Sequence, residues 1–136
     1  MGEGGVRELL AAGWELGAHT VNHPRLTTLS PQEAEMEIRE SKTLLEQKFQ
    51  TSVDSFSYPY GAHSPKLCAM VQAAGYRGAV TIFSSAPEAT ADPFRIRRVF
   101  PHAGDTALSF RLKVSRPYLR MVAWRDGRRY AEKWPE

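Results

Sequence analysis

The chain has 136 residues, 42% of them hydrophobic and 24% charged, and a net charge of +3. That composition belongs to one globular domain and excludes collagen-like, coiled-coil and low-complexity chains, and the length falls short of a complete eightfold β/α barrel, which takes about 200 residues or more. Charge is uneven, with 7 basic and 10 acidic side chains in residues 1–91 and 11 and 5 in residues 92–136, so only the C-terminal part suits an anionic partner, and with no nucleic-acid module beside it nucleic acid is not expected.

The first residues, Met-Gly-Glu-Gly-Gly, lack the basic-then-apolar order of a signal peptide, so none is expected and localisation stays open. Val6, Leu9 and Leu10 have helical spacing, and Gly13 is placed to end that helix. Residues 14–18 are short and largely apolar and read as a strand. Ser30-Pro31-Gln32-Glu33 predicts a capped helix start, with proline at the first helical position and Glu33 closing a capping box. Ala34, Ile38, Leu45 and Phe49 mark its apolar face to about Lys48, while Glu33, Glu37, Glu40 and Lys48 predict a face turned to water. Residues 53–58 alternate as a strand. Ser64-Pro65 repeats the capping device, and Leu67, Met70, Val71 and Ala74 form a second apolar stripe ending at Gly75. The single cysteine, Cys68, lies in that stripe; it excludes an internal disulfide and predicts a buried, inert thiol. Residues 76–83 and 94–100 read as two more strands, and Asp105 as the cap of a helix containing Leu108 and Leu112. Beyond Pro117 the pattern fades, with a turn expected at Asp126-Gly127.

The order α-β-α-β-α-β-β-α argues for parallel βαβ units. One domain over residues 1–136 is expected, with 117–136 a loosely attached basic tail. No apolar run approaches the roughly 18 residues of a membrane span, so no membrane partner is expected.

Two segments carry the chemistry. In Gly17-Ala18-His19-Thr20-Val21-Asn22-His23-Pro24, two histidines lie four apart. Pro24 and the preceding strand favour a loop at the carboxyl end of a strand, where α/β sheets place their sites. Both imidazoles could turn to one point there, and neutral imidazole suits zinc, cobalt or nickel. A catalytic zinc needs three protein ligands, so this motif alone lacks a carboxylate. The other reading is a pair of polar loop histidines capping nearby backbone. The second segment, Ser57-Tyr58-Pro59-Tyr60-Gly61-Ala62-His63-Ser64, follows a strand and precedes a capped helix. Its proline and glycine set a sharp turn around Tyr60 that can aim backbone N–H groups at a developing oxyanion. An ordinary strand-to-helix turn with a packed tyrosine fits the same residues.

In this order the two segments resemble the polysaccharide deacetylases, also called NodB-type carbohydrate esterases. The resemblance runs from about Val6 to Arg98. It includes Leu29-Ser30-Pro31-Gln32-Glu33-Ala34 and Ala73-Ala74-Gly75-Tyr76-Arg77. It implies an irregular (β/α) barrel with mainly parallel strands, and metal-dependent removal of N-acetyl groups from amino sugars of a polysaccharide. It implies a divalent metal, usually zinc, on His19, His23 and an aspartate. Thr20 would steady the loop, the Tyr60 N–H would hold the oxyanion, and Pro59, Tyr60 and Gly61 would line the substrate.

The family's early Thr-Phe-Asp-Asp motif, the source of the base and the metal aspartate, has no counterpart in this sequence. The turn motif begins with Ser57 where the family often has arginine. The late leucine-histidine motif, which carries the general acid, has no clear match; His102 is a candidate substitute or a surface loop histidine. Asp54 is expected at the start of a strand, the wrong end for the missing base. The chain is therefore expected to form an incomplete, N-terminally truncated barrel, its open edge covered by a second copy or a separate N-terminal piece. Three functions follow: a hydrolase completed by aspartates from elsewhere, an inactive carbohydrate-binding or scaffold fragment, and a basic module on an anionic polymer.

Overall fold

The longest helix before the sheet's second strand begins as its sequence dictates. In a computed structural model, which describes residues 2–82 and 92–133 and side chains as far as residue 125, Ser30 accepts the Glu33 N–H, and the Glu33 carboxylate accepts the Ser30 N–H at 2.9 Å. Helix α2 then runs over Pro31–Phe49. Replacing Ser30 by alanine leaves the Glu33 N–H without this acceptor. We expect a loss of about 1 kcal/mol in urea denaturation, as for N-caps in general.

The other elements are α1 (Glu3–Ala11), β1 (Gly17–Ala18), β2 (Ser55–Ser57), α3 (Pro65–Ala73), β3 (Gly78–Thr81), β4 (Ile96–Arg97), α4 (Ala107–Lys113) and α5 (Arg116–Lys133). Helices α1 and α3 stop as expected. Gly13 and Gly75 take φ of +85° and +83°. Behind each, the next residue's N–H reaches back to the helix, from Trp14 to Leu9 and from Tyr76 to Val71, the signature of a left-handed glycine stop.

The four strands form one sheet in the order β1-β2-β3-β4, all parallel. Helices α2 and α3 connect successive strands and pack on each other and on the sheet. Between them lies the core: Ala34 and Ile38 from α2, Leu67 and Val71 from α3, Phe56, Tyr58, Ala79 and Tyr76 from the sheet side, and Leu26 from the loop after β1. The architecture is α/β, an incomplete barrel among the described residues. Among them, no helix is long and apolar enough to cross a membrane.

Several expected boundaries change. Strand β1 pairs over two residues instead of five, because Trp14 belongs to the stop of α1 and is 66% exposed. Strand β4 likewise pairs over only Ile96–Arg97, at the edge of the sheet. Phe83, the expected end of the third strand, lies outside the described residues. The cap of α4 is Thr106, which accepts the Ser109 N–H; Asp105, one residue earlier, is taken up by Lys113 and the His102 N–H. The Lys113 ammonium, helped by the His102 N–H, holds the Asp105 carboxyl down to about 2.

The C-terminal stretch also corrects the sequence reading. It forms a continuous helix, with Asp126 and Gly127 inside it and not at a turn, and Val122 and Ala123 are buried. Pro117 suits the first turn of a helix, where its lack of an N–H costs nothing. One interior glycine costs only about 1 kcal/mol, less than the burial of Val122 returns.

Candidate functional site

His19 leaves the carboxyl end of β1, and its ring is set by the neighbouring strand. Its Nδ1 lies 2.6 Å from the Ser57 carbonyl oxygen at the end of β2. A carbonyl can only accept, so Nδ1 carries the proton and Nε2 presents its lone pair. Gly17, paired with Ser55 on the same two strands, leaves room for the Ser55 side chain: a Cβ at residue 17 would stand 2.7 Å from Ser55 Oγ.

His23 returns to the same point. Its Nε2 lies 3.1 Å from His19 Nε2, and the ring centroids are 4.7 Å apart at 71°. Between them the chain makes a tight loop. Thr20 and His23 have φ of +64° and +56°, a left-handed conformation that costs a non-glycine residue on the order of 1–3 kcal/mol. Thr20 Oγ1 donates to the His19 carbonyl at 2.6 Å and accepts the His23 N–H at 3.0 Å. Glu37, from α2, accepts the N–H groups of Val21 and Asn22 and the Asn22 side-chain amide at 2.6–3.0 Å. The sequence reading placed Glu37 on a face turned to water; instead it faces this loop. Its position was legible: residue 37 lies three after Ala34 and four before Ser41, both buried.

Tyr60 closes the group. Its ring meets His23 edge-on, centroid to centroid 4.8 Å, and is half-exposed. The Arg25 guanidinium lies over the Tyr60 ring at 4.8 Å, a cation–π contact that sequence reasoning missed. The turn Pro59–Gly61 is a short 3₁₀ segment with Tyr60 at φ +58° and Gly61 at φ +68°. Its hydrogen bonds use the N–H groups of Gly61 and Ala62, bonded to Tyr58 and Pro59. Behind it, Thr81 Oγ1 and His63 Nδ1 both reach the Gly61 carbonyl, at 2.7 and 3.1 Å, pinning the turn to β3.

His63 is buried, and loss of water around its ring pushes its pKa down, against the pull of the Gly61 carbonyl. The unfolded chain therefore binds a proton more readily than the folded one, and stability falls as pH drops below about 6.5, the ordinary imidazole value. We expect urea midpoints to decline between pH 7 and pH 5, and the decline to shrink in His63→Gln.

The fit to a metal is close for two ligands. Two imidazole nitrogens at zinc distances in a tetrahedral shell lie about 3.3 Å apart, near the separation observed. Among the described residues no group of three His, Cys, Asp or Glu side chains could hold a metal ion. Ser57 Oγ is buried with no hydrogen-bond partner among them. His102 lies elsewhere. It follows β4, at the opposite edge of the sheet from β1, with its side chain exposed and its N–H on Asp105. Asp54 immediately precedes β2, at the amino end of the strand whose other end holds the site, and faces Arg77 at 3.7 Å. Cys68 is half-buried, and burial raises its thiol pKa, in keeping with an unreactive sulfur.

Comparison with known proteins gives this arrangement a family. The protein YxkH of Bacillus subtilis strain 168, whose name carries the term polysaccharide deacetylase, is 26% identical over 105 residues, which are 77% of this chain and 38% of YxkH. Among solved structures, the Streptococcus pyogenes deacetylase PplD, in complex with acetate, superposes with a TM-score of 0.74 at 21% identity, covering 81% of this chain and 49% of that one. The polysaccharide deacetylase BC0361 of Bacillus cereus gives 0.68 at 21% identity, covering 81% and 35%. The chain thus spans less than half the length of each of these proteins. The model of the polysaccharide deacetylase family matches residues 2–79, a stretch that holds β1, β2, both histidines and the Tyr60 turn, and on that match the chain belongs to the polysaccharide deacetylase family.

Proposed function

We propose that this chain carries the histidine half of a metal-dependent active site that removes N-acetyl groups from amino sugars of a polysaccharide. The observation that carries the reading is the convergence of His19 Nε2 and His23 Nε2 beside the Tyr60 turn, at the carboxyl ends of β1 and β2. His19 and His23 would hold a divalent metal of the kind that neutral imidazole suits, zinc first among them. Bound there, the metal would supply polarisation of the acetamide carbonyl and a water of lowered pKa. The chain's own residues orient and stabilise. Ser57 fixes the His19 tautomer through its carbonyl. The Tyr60 N–H, outside the turn's own hydrogen bonds, donates to the oxygen on which negative charge develops. Pro59, Tyr60 and Gly61 shape the wall against which the N-acetyl group lies.

The third ligand and the base are carboxylates that the described residues do not bring to the pair. Strand β1 pairs on one side only among those residues, so an aspartate-bearing strand can add along that edge, from a second copy or from a preceding segment. That the described residues bring no third ligand to the pair also favours a second reading, an inactive carbohydrate-binding or scaffold fragment of the same fold.

Acetate release from an N-acetylated glucosamine oligomer, measured with and without zinc, separates the two. Zinc-dependent release supports the hydrolase; zinc binding without release supports the inactive fragment. His102→Ala in the same assay decides that residue: an acid loses turnover with zinc affinity kept, and a surface imidazole changes neither.

A further inference from the structure

We propose that Glu37 is the positioning residue of the site: its carboxylate holds the loop of residues 19–23 in the conformation that makes the two imidazoles converge. The role of the loop in metal binding rests on the reading above; the grip of Glu37 on the loop does not. The loop needs a grip. Two of its five residues, Thr20 and His23, sit in left-handed backbone, and neither is glycine. Between them lie Val21 and Asn22, whose N–H groups point the same way. Glu37 Oε2 accepts both, at 2.8 and 3.0 Å, and Oε1 accepts Asn22 Nδ2 at 2.6 Å.

A carboxylate makes all three bonds as they stand, because it accepts at both oxygens and donates at neither. A glutamine keeps three contacts only if the Asn22 amide flips to present its Oδ1, and then without the charge that strengthens them. Among the described residues no Lys or Arg forms an ion pair with Glu37, so its charge is spent on the loop. Burial pushes the carboxyl pKa up, and the hydrogen bonds from Asn22 and Val21 more than offset it. The lever is rigid as well. Ile38, next in the chain, is fully buried, and its carbonyl accepts Tyr76 Oη at 3.0 Å. Ser41, one turn on, lies 3.2 Å from the same hydroxyl. Helix α2 is thus anchored to the core at the turn that carries Glu37.

The test compares wild type, Glu37→Gln and Glu37→Ala, with His23→Ala as control, by two measurements. The first is amide hydrogen exchange of the metal-free protein. Faster exchange at Val21 and Asn22 in Glu37→Ala, with α2 itself unchanged, is the expected result. Unchanged exchange at those two amides overturns the proposal. The second is cobalt(II) binding followed by its visible absorption. Affinity should fall about 10- to 100-fold in Glu37→Ala, the usual cost of losing an outer support, and less in Glu37→Gln. Wild-type affinity in a folded Glu37→Ala also overturns the proposal. If wild type itself binds no cobalt, the metal reading fails and the exchange result alone decides Glu37. If Glu37→Ala melts α2, Glu37→Leu, a strong helix former that accepts no hydrogen bond, is read in its place.

Discussion

Replacing His23 by alanine should abolish divalent metal binding while leaving the fold intact. His23 is exposed, its ring meets His19 and Tyr60 among the described residues, and its backbone is held through Thr20. Alanine keeps the same Cβ at this left-handed position, so the backbone strain carries over largely unchanged and the loss of stability should stay within about 1 kcal/mol. Metal affinity is another matter. His23 supplies half of the donor set that the described residues bring together, and a single imidazole on a loop does not retain zinc at micromolar concentration. The loss should exceed the roughly 100-fold that marks the upper end for outer supports. Calorimetric titration with zinc, beside a thermal melt of the same sample, reads both quantities. Zinc binding at wild-type affinity in the variant would falsify the ligand assignment and, with it, the proposed hydrolase. Any acetate release by the wild-type chain should vanish in step.

Replacing Gly61 by alanine should be the most destabilising single change around the turn. At φ +68°, an L side chain is strained whatever space surrounds it. Space is lacking too: the added Cβ would stand 2.8 Å from Ile82 Cβ and 2.9 Å from the Ile82 backbone nitrogen. Ile82 directly follows β3, so its backbone cannot give way without disturbing the end of the sheet. Conformational strain and overpacking each cost on the order of 1–3 kcal/mol; we expect about 2–4 kcal/mol in urea denaturation. Relief by moving the turn carries Tyr60 away from His23, so the variant that does fold should also lose the Tyr60 contact, visible as a shifted His23 ring resonance. A loss under 1 kcal/mol would show that the turn yields freely and does not hold Tyr60 in place.

Much of the local order is legible in the sequence. Ser30 and Glu33 mark the start of α2, Ser64 the start of α3, and Gly13 and Gly75 the ends of α1 and α3. Each of these features is decided within about five residues, by a side chain capping a nearby N–H or a glycine taking positive φ. The alternation of strand and helix follows from the same short-range patterns, and with it the parallel sheet. The two histidines and the Tyr60 turn stand out because proline, glycine and imidazole cluster just past strand ends.

Other features depend on distant partners. The lengths of β1 and β4 are set by what pairs beside them, which periodicity within a strand cannot report. Helix α5 escapes a reading in which Pro117 and Asp126-Gly127 signal breaks, because burial of Val122 and Ala123 outweighs weak local signals. The site is of this second kind. Residue types alone mark His19 and His23 as ligand candidates; the direction of their rings comes from Ser57, 38 residues beyond His19, and the loop between them is gripped by Glu37, about 15 residues from the groups it binds. A hydrogen bond of that span forms only once sheet and helix have packed, so the chemistry of the donors belongs to the chain and their convergence belongs to the fold.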